Sequence, residues 1–526
     1  MAALPPDVLQ QLVCQSPGMM AHPGLPAIWV ALVLGAMLAV VVWLFRQPRR
    51  AGQPAGGPSL AAWPIVGPWL RQAVRRPGLL VGLRLFTAAV FLLVIYAGLF
   101  GTPFPARNVA TVLTWSLWWT GLIISVYFVG SAWCAICPWD ALATWLVRRR
   151  LWGRGPATVS LNLRVPRAIR NVWPAWWMFI ALTWLELGLG ITASPYLTAI
   201  LALVILVLAT LSLAVFERKA FCRYFCSVGR TLGVYSQLAP IALRPIDPAI
   251  CARCRTLECY HGTDTVEPCP THLVMGRLRE NTYCTSCGAC SQSCPEQNVA
   301  WSTRPTGEEA MHTARPSWDG AWFILGLVAL TSFHGLTMLP FWEPWMRSLG
   351  RLIGDSGQLL GSFTIGMAGS LAVPAALFAL AVWATWRSLG RAWPYRRLFA
   401  QLALAGLPLA FAYHLAHNVN HLVREGQGAG SVLRNPLGIG AQPLSEAEMQ
   451  LRHLQPLLHQ EVLFALQAGL LIFGFWLAVR ILRQRLLRIA GEGNLHTRHL
   501  IPMLLFIVAV TLFNLWLLMQ PMIMRM

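Results

Sequence analysis

Charge is what this sequence has least of. Only 12% of its 526 residues are Asp, Glu, Lys or Arg, about half the share of an average soluble protein. With 56% of the chain hydrophobic, no soluble fold of this size can hide the apolar surface, so one large globular enzyme is excluded. Acidic residues are scarcer still, 20 against 41 basic ones, for a net +21. Such an excess can signal nucleic acid, but here the arginines sit in short segments between apolar runs, and no nucleic-acid partner is expected. Cysteine is missing from most of the chain: of thirteen, all but Cys14 fall between residues 134 and 294. That excludes the disulfide framework of a small secreted protein. Cys14 has no basic segment and no apolar core before it, which argues against a lipid-anchoring signal.

What is present is apolar length. A helix needs about 20 mostly apolar residues to cross a bilayer, and ten windows qualify: 27–45, 80–100, 109–132, 173–193, 196–216, 318–339, 362–386, 398–420, 462–480 and 500–520. The 25 tryptophans fit the aromatic belts of such a protein. The first window is not a cleaved signal, since Arg46, Arg49 and Arg50 follow it rather than precede it. The uncharged run Ser356–Trp386 exceeds one span, and Pro374 is expected to kink it. Connections alternate in arginine: 46–79 and 133–172 are rich, whereas 1–26 and 194–195 have none. The positive-inside rule then puts both termini outside, in the periplasm, and the long segment 217–317 in the cytoplasm. The expected fold is mainly α: a polytopic helical membrane protein with a small ferredoxin-like α+β lobe inserted mid-chain. Its parts are five spans in 1–216, a cysteine-rich lobe in 217–317, and five spans in 318–526.

The lobe carries the chemistry. Residues 284–295 read Cys284-x2-Cys287-x2-Cys290-x3-Cys294-Pro295, the run with which bacterial ferredoxins bind [4Fe–4S] clusters, its last cysteine serving the other cluster. A looser run supplies Cys251, Cys254, Cys259 and Cys269. Crossed ligation assigns Cys251, Cys254, Cys259 and Cys294 to one cluster, and Cys269, Cys284, Cys287 and Cys290 to another. A degenerate or zinc-filled first site is the plainer alternative. Residues Asn281, Thr282 and Tyr283 are expected in short strands and turns. Two further pairs, Cys134/Cys137 and Cys222/Cys226, close the third and fifth spans on the same side. Four thiolates meeting there would hold a third cluster or another soft metal; the alternative is buried, unligated cysteine.

An aromatic-flanked cysteine pair closing a span, repeated once and followed by a tandem ferredoxin run, resembles the NapH/NosR family of membrane polyferredoxins. The copper-oxidase accessory protein CcoG looks related through the same motifs. The resemblance covers roughly residues 80–305. It implies a bacterial inner-membrane protein passing electrons between the quinone pool or cytoplasmic donors and a membrane or periplasmic acceptor. The alternative it implies is a metalloenzyme-maturation or copper-handling factor, toward which Met338 and Met346 point. An oxidoreductase subunit working with redox partner proteins fits the first reading. A transporter would leave the cysteines unexplained.

The last five spans hold a second group. His414, His417 and His421 lie on one face of the eighth span, at about 100° per residue. His334, in the sixth, lies about 22 Å above that span's cytoplasmic end and His414 about 24 Å, so their depths agree. Ionisable groups inside a membrane are functional candidates. His334, His414 and His417 are candidate ligands of haem b or copper, or a quinone site; hydrogen-bonded, structural histidine is the alternative. His421 is expected to cap its span at the interface. Glu186 in the fourth span is expected to carry protons or to pair with a donor not visible in the sequence.

Overall fold

The computed structural model describes residues 19–48, 52, 56–154, 160–454 and 457–525; Cys14, Arg49 and Arg50 lie outside them. Helices form where the apolar windows fall: α1 Ala27–Arg46, α2 Pro77–Phe100, α3 Val109–Val129, α4 Trp173–Gly188, α5 Pro195–Val215, α6 Trp318–Thr337, α7 Leu360–Ser388, α8 Leu407–Glu425, α9 Gln460–Ala490 and α10 Thr497–Met519. Local chemistry sets their ends. Pro77 and Pro195 begin α2 and α5, where a missing N–H costs nothing, and the Ser317 hydroxyl accepts from Gly320 N to start α6. Helix α7 runs unbroken through Pro374.

Among the described residues, nine helices are long and apolar enough to cross a bilayer, one fewer than expected. The difference is α4. Its 16 residues reach about 24 Å, because Gly190 turns left-handed (φ 65°) and a single 3-10 turn, Ile191–Ala193, follows. Strands β1 Met19–His22 and β4 Met522–Arg525 pair antiparallel, so these two segments lie together at one end of the bundle. Counted as a pass, α4 would bring the nine to ten, an even number.

Helices α6 and α8 are the most enclosed of the long helices. Two glycines let α8 approach its neighbours: a Cβ on Gly335 of α6 would meet the Tyr413 hydroxyl at 1.9 Å, and one on Gly474 of α9 would meet Ala412 Cβ at 2.5 Å. No side chain larger than hydrogen fits at either position.

Between α5 and α6 lies the cysteine-rich segment. Strands β2 Ile241–Pro245 and β3 Val299–Thr303 pair antiparallel from Ile241↔Thr303 to Pro245↔Val299 and bracket both cysteine runs. Residues 281–283 form a turn. Buried Glu309 gathers the segment: it pairs with Arg244 and Arg304 and accepts from Asn281 N at 2.9 Å. Arg485 of α9 then donates to the carbonyls of Ala310 (2.7 Å), Ala314 (2.8 Å) and Glu309 (3.1 Å). These bonds tie the segment to the membrane helices.

Candidate functional site

The four membrane-end cysteines line one small cavity of about 60 Å³. Cys137 stands immediately before the helix Pro138–Arg148 and Cys226 immediately before the helix Ser227–Tyr235. Both thiols thus face a helix N-terminus, where partial positive charge favours a thiolate. Cys226 Sγ accepts from Gly229 N at 3.2 Å. Burial pushes the Cys137 thiol up to about 12, against the opposing pull of the Asp140 and Trp139 N–H groups. In the same wall Asp140 pairs with Lys219 (2.5 Å) and Arg84 (3.4 Å), all three buried. Burial alone would raise the Asp140 carboxyl, but Lys219 and Arg84 hold it below the usual range.

In the cysteine-rich segment Asn298 ties the two runs together: its Nδ2 lies 3.5 Å from Cys251 Sγ and its backbone N–H donates to Cys294 Sγ at 3.4 Å. Cys251 lies within electrostatic reach of Cys294 and Cys254, and Cys259 of Cys251, Cys254 and Cys269. The thiols of Cys284, Cys287 and Cys290 each feel Cys269. Further N–H···S bonds reach Cys269 from Leu273 (3.3 Å) and Cys284 from Ser286 (3.4 Å). Burial raises Cys284 to about 12. The set reaches the membrane pairs as well, since Cys134 feels Cys284 as well as Cys137 and Cys226, and Ser131 donates to the Cys284 carbonyl. Among the described residues no three His, Cys, Asp or Glu side chains converge on one point to hold a single metal ion. A four-thiolate cluster is a different kind of site, and the segment offers eight free thiols, the number that two such clusters would need.

The imidazoles meet in the bundle. His334, His414, His417 and Glu186 line an apolar cavity of about 400 Å³ between the two halves of the membrane domain. Its lower end is formed by Trp133, Trp139, Ser227 and Val228, next to the membrane cysteines. Glu186 does find a partner: its Oε2 lies 3.4 Å from His334 Nε2. His414 Nδ1 meets the Tyr235 hydroxyl at 3.1 Å. His417 is 5% exposed and its Nδ1 has no protein partner. His421 does more than cap its span: its Nε2 is 3.2 Å from His417 Nε2, and its Nδ1 is 2.9 Å from Glu425 Oε1. Met346, by contrast, is buried in an apolar cluster with Phe333, Trp342 and Phe363, so it packs.

One similarity to a known protein stands beside this geometry. The chain is 26% identical over 156 residues to the Escherichia coli (strain K12) protein named "Putative electron transport protein YccM". The match takes in 28% of this chain and 41% of that protein's own length. No family model matches the chain, and no solved structure does.

Several site residues escape sequence reasoning. Lys219 had a signal: it is the only lysine in the chain, and it is buried. Glu425 follows His421 by four residues, the spacing of a helical pair. Tyr235 carries no such signal, because only the fold brings it to His414. The same holds for the wide π turn at 112–118 within α3, a feature frequent at functional sites, which sets Trp115 and Trp118 in the cavity wall.

Proposed function

We propose that this chain is a membrane electron-transfer protein that exchanges electrons between a quinone in the apolar cavity and iron–sulfur clusters at the cysteine end. The observation that carries it is the cavity itself. It is apolar and about 400 Å³, with a His334–Glu186 pair at one wall and the tryptophans beside the four membrane thiols at the other. A quinone head needs that combination: apolar enclosure plus a few convergent polar groups. The likeness to a protein named for electron transport supports the same role.

Iron–sulfur clusters supply one-electron chemistry and are tuned by burial and by hydrogen bonds to sulfur. The chain's own residues supply the rest. Cys251, Cys254, Cys259 and Cys294 would hold one cluster and Cys269, Cys284, Cys287 and Cys290 a second; Cys134, Cys137, Cys222 and Cys226 would hold a third. Asn298, Leu273, Ser286 and Gly229 donate to the sulfurs. Lys219 and Arg84 offset negative charge beside the third set. His334 and Glu186 receive the quinol's hydroxyl protons, and Trp118 and Trp119 help to enclose the head.

The test is direct. Purified protein carrying its clusters is mixed anaerobically with a short-chain quinol such as duroquinol while the visible absorbance of the clusters is followed. Bleaching that is lost in His334→Ala is expected. Fully loaded clusters that neither bleach with quinol nor reoxidise with quinone would overturn the proposal.

A further inference from the structure

A second cavity, of about 260 Å³, lies beyond the imidazoles. Pro105 and Ala106 from the α2–α3 connection and Thr192 and Ala193 from the α4–α5 connection line it, with Met338 just past α6. These connections sit at the end of the bundle opposite the cysteines, where β1 and β4 pair and Ile523 N bonds Met338 O. Glu186, His334 and His417 line both cavities and form the wall between them. His421, Glu425 and Arg452 line only the outer one.

We infer that Glu186, His334, His417, His421 and Glu425 form a proton path from the quinone cavity to the bundle end opposite the cysteines, so that electrons and protons leave by opposite faces. The inference rests on the quinone reading above and adds a direction to it.

The contacts are sequential. Glu186 Oε2 is 3.4 Å from His334 Nε2. The His334 and His417 rings stand 6.3 Å apart between centres, a gap that one bridging water spans, and His417 Nδ1 lacks any protein partner. His417 then meets His421 at 3.2 Å, and His421 meets Glu425 at 2.9 Å. Ser116 of α3 donates to the far oxygen of Glu425, and Arg452 faces the same carboxylate across the outer cavity. From His417 to Glu425 is eight residues, about 12 Å along the axis of α8.

Among the described residues no comparable path leads the other way. Apart from Glu186 and the histidines, the polar groups lining the inner cavity are hydroxyls, the Asn418 amide and indole N–H groups. Asp140, behind the lower wall, is engaged by Lys219 and Arg84. The Tyr235 hydroxyl ends the branch from His414 in buried, apolar surroundings.

Oxidation of one quinol breaks two O–H bonds. Two protons pass to the His334–Glu186 pair and outward. Two electrons pass one at a time to oxidised iron–sulfur centres, and the quinone remains. Each turnover therefore moves charge across the membrane, negative toward the cysteine end.

The experiment uses the full chain with its clusters in sealed proteoliposomes. Duroquinol is the donor, and ferricyanide, which cannot cross the bilayer, is supplied only outside, so only molecules with the iron–sulfur face outward turn over. Lumenal acidification and a membrane potential are expected, read by a trapped pH dye and a potential-sensitive dye. In Glu425→Gln, turnover should fall about 100-fold with unchanged duroquinone affinity, and Glu425→Asp should recover part of it. Ferricyanide reduction with both protons appearing outside and no potential would overturn the path while leaving the quinone reading intact. No ferricyanide reduction by cluster-loaded wild type would overturn both. Wild-type turnover in Glu425→Gln would remove Glu425 and His421 from the path and overturn it as drawn.

Discussion

Lys219 is the only lysine in a chain with 41 basic residues, and it is buried against Asp140 beside four thiols. A buried charge is tolerated when paired, and removing one partner strands the other. Lys219→Met leaves Asp140 with Arg84 alone, and the expected cost is about 3 kcal/mol, with iron lost from the Cys134/Cys137/Cys222/Cys226 set before the other two. Iron analysis and EPR of the variant check this; a full complement of iron would refute it. Within the lobe, Cys287→Ser is expected to remove one cluster's EPR signal and spare the signal of the cluster assigned to Cys251, Cys254, Cys259 and Cys294. Unchanged iron content would sink the crossed assignment. The thiols also fix a pH dependence. Burial raises Cys137 and Cys284 to about 12, above the roughly 8.5 of an exposed thiol. The folded metal-free chain therefore holds protons that the unfolded chain releases. That contribution to stability is complete below about pH 8.5 and is lost as pH rises toward 12. Melting of metal-free protein between pH 7 and 10 should show the decline, and a flat profile would contradict it.

Among the elements, the helix Ser227–Tyr235 matters most, because it joins membrane and lobe. Its Gly233 lies against the backbone of the lobe: a Cβ there would meet the Thr282 carbonyl at 2.0 Å. Three residues earlier Arg230 donates to that carbonyl at 2.8 Å and sits 4.0 Å over the Tyr283 ring. Gly233→Ala must push the 281–287 turn outward, at about 1–3 kcal/mol for an overpacked contact. A lower melting temperature and slower electron exchange between quinol and the lobe are expected; a variant with wild-type melting and rates would show that the contact is not rigid. None of this could be read beforehand, since Gly233 and Thr282 meet only through the fold. The elements legible in the sequence were those that a single helix encodes. Apolar windows located the spans, and the 414–417–421 spacing put three imidazoles on one face. The fourth window was read too long because composition weighs Leu189 and Ile191 equally with helix interior, whereas Gly190 turns the backbone. His421 was read as a cap because its depth was visible and its partners, His417 and Glu425, depend on rotamers.

At the scale of the whole molecule, parity links the spans to the chain ends. Sequence windows count ten spans, full-length apolar helices number nine among the described residues, and the β1–β4 pairing requires an even count. A pass by the short α4 would reconcile the three. A helix of about 24 Å leaves roughly 6 Å of a 30 Å hydrocarbon core for the turn at 188–194, whose Gly188 and Gly190 line the outer cavity. Non-helical backbone at membrane depth is tolerated where it lines a polar cavity, and that is where this turn lies. The same parity separates the loops. With α4 counted as a pass, residues 240–310 follow five passes from the N-terminus and the stretch after α8 follows eight, so the two are expected on opposite sides. Cysteines introduced at exposed Ile439 and Arg279, in intact cells, are expected to react with an impermeant maleimide from opposite sides. The arginine-rich connections lie at the Arg279 end, so the Ile439 label should come from outside. If one side labels both, the β1–β4 pairing does not hold in the membrane, and the opposed electron and proton routes fall with it.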